Sequence, residues 1–420
     1  MGVWCEVGGV VNGRLGGVTY GIRGRLYEHA VRLKAEGHPV LELNIGNPGA
    51  FGFRAPAHIA AHVAERLLDA QAYSPSKGLP KARRAVVAYS RGRGIPVRDE
   101  DDVYLGNGVS DLIMMTLQSL VSDGDEVLVP APDYPLWTAS VRLAGGHAVH
   151  YPCDESADWL PDLDALEARI TDRTTALVVI DPNNPTGAVY PPELIEGLVE
   201  LARAHDLVLL SDEIYDQILY DGATHTPTAA LAPDLACVTF NGLSKAYMLA
   251  GYRSGWAVVT GPPWRTSGLR DGLATLVDMR LGANVPGQYA LEAALGGDYG
   301  PSALVLPGGR LREQRDAAHA ALTTVPGITC VKPRGGLYAF PRLDRSLWPV
   351  DDDEGLMLDI LLREKVLLTP GSAFNWPCSD HFRIVTLATV AQLTSAADRL
   401  ANYVAGRGHR SACVFPARVA

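Results

Sequence analysis

The chain has no cysteines at a CxxC spacing, no apolar run long enough to cross a membrane, no excess of positive charge and no low-complexity tract. Each absence closes a class of function. Six cysteines (Cys5, Cys153, Cys237, Cys330, Cys378, Cys413) are scattered over 420 residues. That pattern fits reduced thiols rather than a disulfide framework or a zinc site, so no metal is expected. A membrane span needs about 18 consecutive apolar residues, and the N-terminus lacks a basic segment followed by an apolar core, so no membrane role and a cytoplasmic location are expected. With 47 Asp and Glu against 37 Lys and Arg, the net charge is −10, which predicts no polyanion-binding surface and no nucleic-acid partner. What is present is ordinary for a globular protein, 47% apolar and 20% charged. The length exceeds a single hydrophobic core, so two domains or one large α/β unit with appendages are expected.

Seven short runs rich in Val and Leu read as buried strands: "DVYLG" (102–106), "EVLVPAP" (126–132), "HAVHYPC" (147–153), "ALVVIDPNNPTG" (176–187), "LVLLSDE" (207–213), "CVTFNGLSK" (237–245) and "GWAVVT" (255–260). Helical patterns separate them. In "PPELIEGLVELARAHD", Leu194, Ile195, Leu198, Val199, Leu201 and Ala202 recur at helical spacing behind an initiating proline. Alternation of strand and helix predicts an α/β fold with a mainly parallel, seven-stranded sheet covered on both faces. The large domain is expected over 66–304. A smaller α/β domain is expected from both chain ends, 18–65 and 305–405, with an N-terminal extension over 1–17 and a C-terminal tail over 406–420.

The informative polar residues stand where these strands end, which is where parallel α/β sheets bind ligands. In "GNGVSDLIMMTLQSL", Gly106, Asn107 and Gly108 allow a tight turn and Ser110 can cap the helix, so backbone N–H groups can hold a phosphate; an ordinary capped helix reads the same way. "DPNNPTG" fixes the Asn184 amide between prolines. In "SDEIYDQILY", Asp212 ends an apolar strand, where a carboxylate needs a cationic partner or a donor, and Tyr215 follows three residues later. "FNGLSKAYMLAGYRSGW" carries a single lysine, Lys245, with Ser244 and Arg253 able to neutralise a phosphate. A lysine desolvated beside a cation becomes an amine nucleophile for Schiff-base chemistry, although a solvated loop lysine is the commoner fate. The four together match pyridoxal 5'-phosphate: a phosphate cradle, an acid for a protonated ring nitrogen, Asn and Tyr for a phenolic oxygen, and a lysine for an aldehyde.

At these residues the sequence resembles the fold type I, class I/II aminotransferases, from about Tyr20 to Val404. "NPTG" (184–187), "SDEIY" (211–215), "LSK" (243–245) and "GYRSGW" (251–256) stand in that family's order, with gaps of 28, 33 and 8 residues from Asn184 to Asp212, Lys245 and Arg253. The resemblance implies that Lys245 is the Schiff-base lysine, Asp212 the partner of the ring nitrogen, and Asn184 and Tyr215 the partners of the ring hydroxyl. Tyr134 of "APDYPLW" would stack on the ring. Gly108, Val109, Ser110, Ser244 and Arg253 would hold the phosphate, and Tyr73 of "AYSPSKG" would reach the phosphate of a neighbouring subunit, which implies a homodimer with shared active sites. Arg383 of "HFRIVT" would clamp the substrate α-carboxylate, with backbone contact from Gly46 and help from Asn184 and Tyr20. Arg23 or Arg280 would read a side-chain carboxylate.

Within the family, "LNIGNP", "FGF", "PAPDYPLW", "DPNNPTGAVY", "FNGLSK", "ANVP" and "AFNWP" resemble bacterial alanine (glutamate-pyruvate) aminotransferases. The implied reaction moves an amino group between alanine or glutamate and pyruvate or 2-oxoglutarate, in ping-pong fashion through pyridoxamine phosphate. Three positions depart from the pattern: Gly21, where an acid is usual, Met248, where a base is common, and Gly242, where many relatives place a phosphate-binding serine. They bear on which amino acid is used, and a specialised biosynthetic aminotransferase is an alternative. A C–S lyase or an amino-acid oxidase on the same scaffold is another, since all three begin by removing the same proton. A pyridoxal-sensing regulator would need a DNA-binding domain ahead of the fold, and few residues precede it here.

Overall fold

The computed structural model describes residues 13–15, 18, 20, 21, 24–297, 300–348 and 350–407. Arg23, Cys5, Cys413 and most of the N-terminal extension and the C-terminal tail lie outside the described residues.

The large sheet runs in the order Val103–Gly106, Gly255–Thr260, Cys237–Gly242, Val208–Asp212, Thr174–Ile180, Glu126–Ala131, His147–Asp154, Leu160–Pro161. From Cys237–Gly242 to His147–Asp154 the neighbours are parallel. Gly255–Thr260 is antiparallel to both of its neighbours. Among the described residues the sheet has eight strands rather than seven. The eighth, Leu160–Pro161, is a two-residue antiparallel edge, too short and too proline-rich to carry a strand pattern. Register is set by burial on both faces. Ile180, Asp212 and Phe240 stand side by side across three strands, so the loops that follow them leave the sheet at one level.

The expected helix forms over Pro192–Ala204, with Pro at its start and Ile195, Leu198, Val199 and Ala202 buried. Helix Val109–Leu120 turns Leu112, Ile113, Met115 and Leu117 inward against the sheet. A separate core joins the two ends of the chain: Leu26, Ala30, Leu33 and Leu43 pack with Ala318, Leu322, Met357, Ile360, Leu393 and Leu400. There Leu41 and Glu42 pair in parallel with Val366 and Leu367. A three-stranded sheet places Phe382–Val385 between Tyr338–Ala339 and Thr369–Pro370. Helix Ala57–Glu65, grouped by the sequence reading with the small unit, instead buries Ile59 and Val63 in the large core beside helix Val285–Leu295. Its apolar face fits either core, and only the packing decides. No helix among the described residues is long and apolar enough to cross a membrane.

Candidate active site

Five strands of the large sheet deliver their ends to one cavity of ≈690 Å³. It is lined by Tyr20, Gly46, Val109, Ser110, Tyr134, Asn184, Asp212, Tyr215, Ser244, Lys245, Arg253 and Arg383, all named from sequence. Ile45, Asn47, Ile180, Ile214, Ala250, Gly251 and Tyr338 complete the wall.

At one end the helix Val109–Leu120 opens on the cavity without a side-chain cap. Its leading N–H groups are therefore free to face an anion. Gly108 makes this possible. Its φ of +86° places it in the region that favours glycine, and a Cβ there would strike the Arg253 guanidinium. Arg253 is itself held at a positive φ, with Nη1 donating to Ala250 O at 3.0 Å and Nη2 to Asn107 O at 3.3 Å. Gly242 has no room for a serine, because a Cβ would lie 2.8 Å from Ser254 O.

In the middle, Lys245 Nζ donates to Gly46 O at 2.7 Å and stands 5.9 Å from the centre of the Tyr215 ring. Gly46 thus presents its carbonyl to the lysine. Asp212, 3% exposed, accepts from the Trp137 indole at 3.2 Å and from Ile214 N at 3.3 Å. Burial pushes its carboxyl up to about 6, against the opposing pull of these two donors and of Lys245. A carboxylate so placed gains from any cation that enters the cavity.

At the other end lies Arg383, 2% exposed. Its Nη1 donates to Asn184 Oδ1 at 3.0 Å, its Nη2 donates to Asn44 O, and its Nε is buried with no partner. The guanidinium lies 4.2 Å from the Tyr338 ring centre and 4.5 Å from that of Phe374. Tyr215 and Tyr338 join hydroxyls at 3.1 Å. Burial raises Tyr215 far above the ordinary phenol range, whereas in Tyr338 the same burial is outweighed by Lys245 and Arg383, which bring it down. At the mouth, the hydroxyls of Tyr20 and Tyr134 meet at 3.1 Å.

Three expected residues stand apart. Tyr73 is 83% exposed and does not line the cavity of its own chain. Arg23 lies outside the described residues. Arg280 is spent elsewhere: Nη1 pairs with Asp111 and Nη2 donates to Leu105 O at 2.8 Å, so it offers no face to a substrate. Arg280→Ala is expected to cost about 1–3 kcal/mol of stability by taking the donor from buried Leu105 O and breaking the ion pair to Asp111, with the ratio of KM values for 2-oxoglutarate and pyruvate unmoved; denaturant melts and steady-state kinetics check both parts.

Sequence reasoning missed Tyr338 and Trp137. Tyr338 had one signal, a tyrosine closing "GGLY" opposite the glycine at 46, where a side chain would collide with the Tyr338 ring. Trp137 had none: helix Leu136–Ala144 packs on strands Glu126–Ala131 and His147–Asp154, and only the indole reaches across to Phe240 and Asp212.

An amine, a buried acid, an uncapped helix N-terminus with an arginine, and a second buried arginine thus meet in one cleft. The chain belongs to the family "aminotransferase class I and II", whose model matches residues 39–400, and it is an aminotransferase of that family. It is 57% identical over 392 residues to an alanine aminotransferase of Mycobacterium tuberculosis, covering 93% of this chain and 91% of the relative. It is 53% identical over 393 residues to a glutamate-pyruvate aminotransferase of Escherichia coli, covering 94% and 97%. Among solved structures it resembles an aminotransferase from Escherichia coli, with a TM-score of 0.93 and 52% identity over 95% of this chain and 99% of the other. It also resembles an alanine aminotransferase from Pyrococcus furiosus, with a TM-score of 0.89 and 35% identity over 95% and 100%.

Proposed function

We propose that this enzyme uses pyridoxal 5'-phosphate to exchange an amino group between the alanine–pyruvate and glutamate–2-oxoglutarate pairs. The observation that carries the reading is the meeting of Lys245, Asp212 and Arg383 on one cavity. The donor set fits the cofactor: Gly108 opens a cradle that a Cβ would fill, and the helix N-terminus behind it is uncapped. Val109, Ser110, Ser244 and Arg253 would hold the phosphate, Asp212 the ring nitrogen, Asn184 and Tyr215 the ring hydroxyl, and Tyr134 the ring face. When bound, the cofactor supplies an electron sink for the pair left at the substrate Cα.

The chain's own residues supply the rest. Arg383 clamps the α-carboxylate in a fork and so fixes which Cα bond faces Lys245. Lys245 Nζ would take the Cα proton and hold it for delivery to the former aldehyde carbon of the cofactor, so that the amino group stays behind when the 2-oxo acid leaves. Asn184 accepts from Arg383 and keeps the guanidinium in register. Tyr20 and Tyr134 join hydroxyls across the mouth, which places both beside the substrate's path into the cavity. With Arg280 paired to Asp111, the reading leaves Arg23 as the arginine for a side-chain carboxylate.

A homodimer is part of the proposal, supported by the exposure of Tyr73. Leu281 is also exposed, and Gly282 beside it packs on Ser74, so the two exposed side chains belong to one region. A cytoplasmic location accords with the scattered thiols, since Cys153, Cys237, Cys330 and Cys378 are all free.

The test is a single-turnover screen in which each amino acid is mixed with enzyme and loss of the cofactor absorbance is followed. Alanine and glutamate are expected to react fastest, each yielding one equivalent of its 2-oxo acid and no ammonia. Ammonia release without an acceptor would instead mark a lyase or an oxidase.

A further inference from the structure

Two residues before Arg383, on the same strand edge, His381 is 1% exposed and enclosed by three aromatic rings. Its imidazole stacks on Phe340 at 4.9 Å and 19°, and meets Trp159 and Trp376 edge-on, each at 5.3 Å and 75°. Nδ1 is hydrogen-bonded to Asp380 Oδ1 at 2.7 Å, whereas Nε2, buried without a hydrogen-bond partner, stands 3.5 Å from Glu155 Oε2. A neutral imidazole with its N–H on Nδ1 would turn a lone pair toward the Glu155 carboxylate, whereas an imidazolium faces both carboxylates with positive charge, and an aromatic box favours a cation.

The strand's alternation matters. Phe382 and Ile384 are buried in the small-unit core, so His381 and Arg383 share the opposite face. That face meets the large unit twice, through Glu155 on the turn Glu155–Ala157 and through Asn184. Behind His381 the backbone is tight. Gly371 N donates to His381 O at 2.9 Å, and a Cβ at 371 would lie 2.8 Å from that oxygen.

We propose that His381, held as an imidazolium between Asp380 and Glu155, is a positioning residue that sets Arg383 for the substrate α-carboxylate. This rests on the reading of Arg383 as the carboxylate clamp. The charged and titratable groups around His381 are Asp380, Glu155, Arg342, which reaches Glu155 at 3.5 Å and Asp380 at 3.7 Å, and Cys330, which burial pushes up to about 12. Burial works against the imidazolium, but Asp380 and Glu155 outweigh it and hold His381 above its ordinary range. A folded-state pKa raised in this way means that the docking is fully present at low pH and fades as pH rises through the folded value. Carboxylate affinity is thus expected to fall on the alkaline side.

The experiment compares Glu155→Gln, His381→Phe and Arg383→Lys with wild type as holoenzymes from pH 6.5 to 9.5. It follows kcat and KM for alanine and 2-oxoglutarate, and calorimetric binding of propionate, a carboxylate without an amine. Because Arg383 holds ground and transition states alike, Glu155→Gln is expected to raise both KM values and the propionate Kd about tenfold with kcat little changed. It should also move the alkaline fall in propionate affinity to lower pH, and His381→Phe should abolish that fall. Melting curves at each pH identify a variant that has simply lost its fold, in which case Glu155→Gln, which leaves the aromatic box whole, decides. Unchanged propionate affinity in Arg383→Lys overturns the clamp reading and this inference with it. Weakened affinity in Arg383→Lys beside wild-type affinity and pH dependence in the other two variants overturns the inference alone.

Discussion

Lys245→Ala is expected to lower turnover by more than about 10⁴-fold while the protein still binds the cofactor through its phosphate. The two effects separate because they belong to different walls of the cavity. On the proposed reading Lys245 Nζ would supply the amine and the proton carrier in the middle, where it lies 2.7 Å from Gly46 O and, among the described residues, forms no salt bridge to a carboxylate. The phosphate would rest at the far end on the uncapped helix N-terminus and Arg253, which Lys245 does not support. In the variant the Gly46 carbonyl loses its donor, and Tyr338 and Asp212 lose the charge that draws them down, so both are expected to rise further. Borohydride reduction of the wild-type holoenzyme followed by peptide mapping checks the assignment directly, because the label must fall on Lys245. A label on another lysine, or turnover within a factor of ten of wild type in the variant, would remove Lys245 from the chemistry.

How far the site could be read from sequence depended on how local its parts are. Asn184, Asp212 and Lys245 each follow a run of buried strand residues by a few positions, and a polar group at such an end has few other uses. The parallel order then brings them together without further information. Gly108 was legible for a related reason, as a glycine between a strand and a helix. Arg280 was not. Its partner Asp111 lies 169 positions away, and nothing near Arg280 in sequence shows that its charge is already matched. Tyr338 and His381 fail on the same ground: each acquires its meaning from groups on the opposite unit, Lys245 for the one and Glu155 for the other. The allegiance of helix Ala57–Glu65 to the large core, and the short edge Leu160–Pro161, are outcomes of packing rather than of pattern. Which residues meet in the cavity was therefore legible earlier than the scaffold that brings them there.

Asp212→Asn separates the acid's cost to the fold from its value to the reaction, and the two should have opposite signs. In the cofactor-free protein the carboxylate is buried, held only by the Trp137 indole and Ile214 N–H, and burial pushes its pKa up to about 6 from the model-compound 3.8. The folded state thus binds this proton more tightly than the unfolded chain does. Below about pH 4 both states are protonated and the residue is neutral to stability. As pH rises toward 6 the unfolded chain ionises first, and the folded protein loses stability up to a plateau of about 3 kcal/mol. Asn keeps an acceptor for Trp137 and carries no charge. The cofactor-free variant is therefore expected to melt at the same temperature as wild type near pH 4 and several degrees higher at pH 7.5. With cofactor bound the order reverses, because the carboxylate gains a cationic ring nitrogen while the amide cannot hold that proton. Activity is then expected to fall by about 10²–10³-fold, the usual loss when a preorganised electrostatic partner is removed. Melting curves with and without cofactor across this pH range, together with kcat, check both halves. Were the cofactor-free variant no more stable at pH 7.5, the buried carboxylate would have a partner other than Trp137 and Ile214; were the loaded variant fully active, another group would keep the ring protonated.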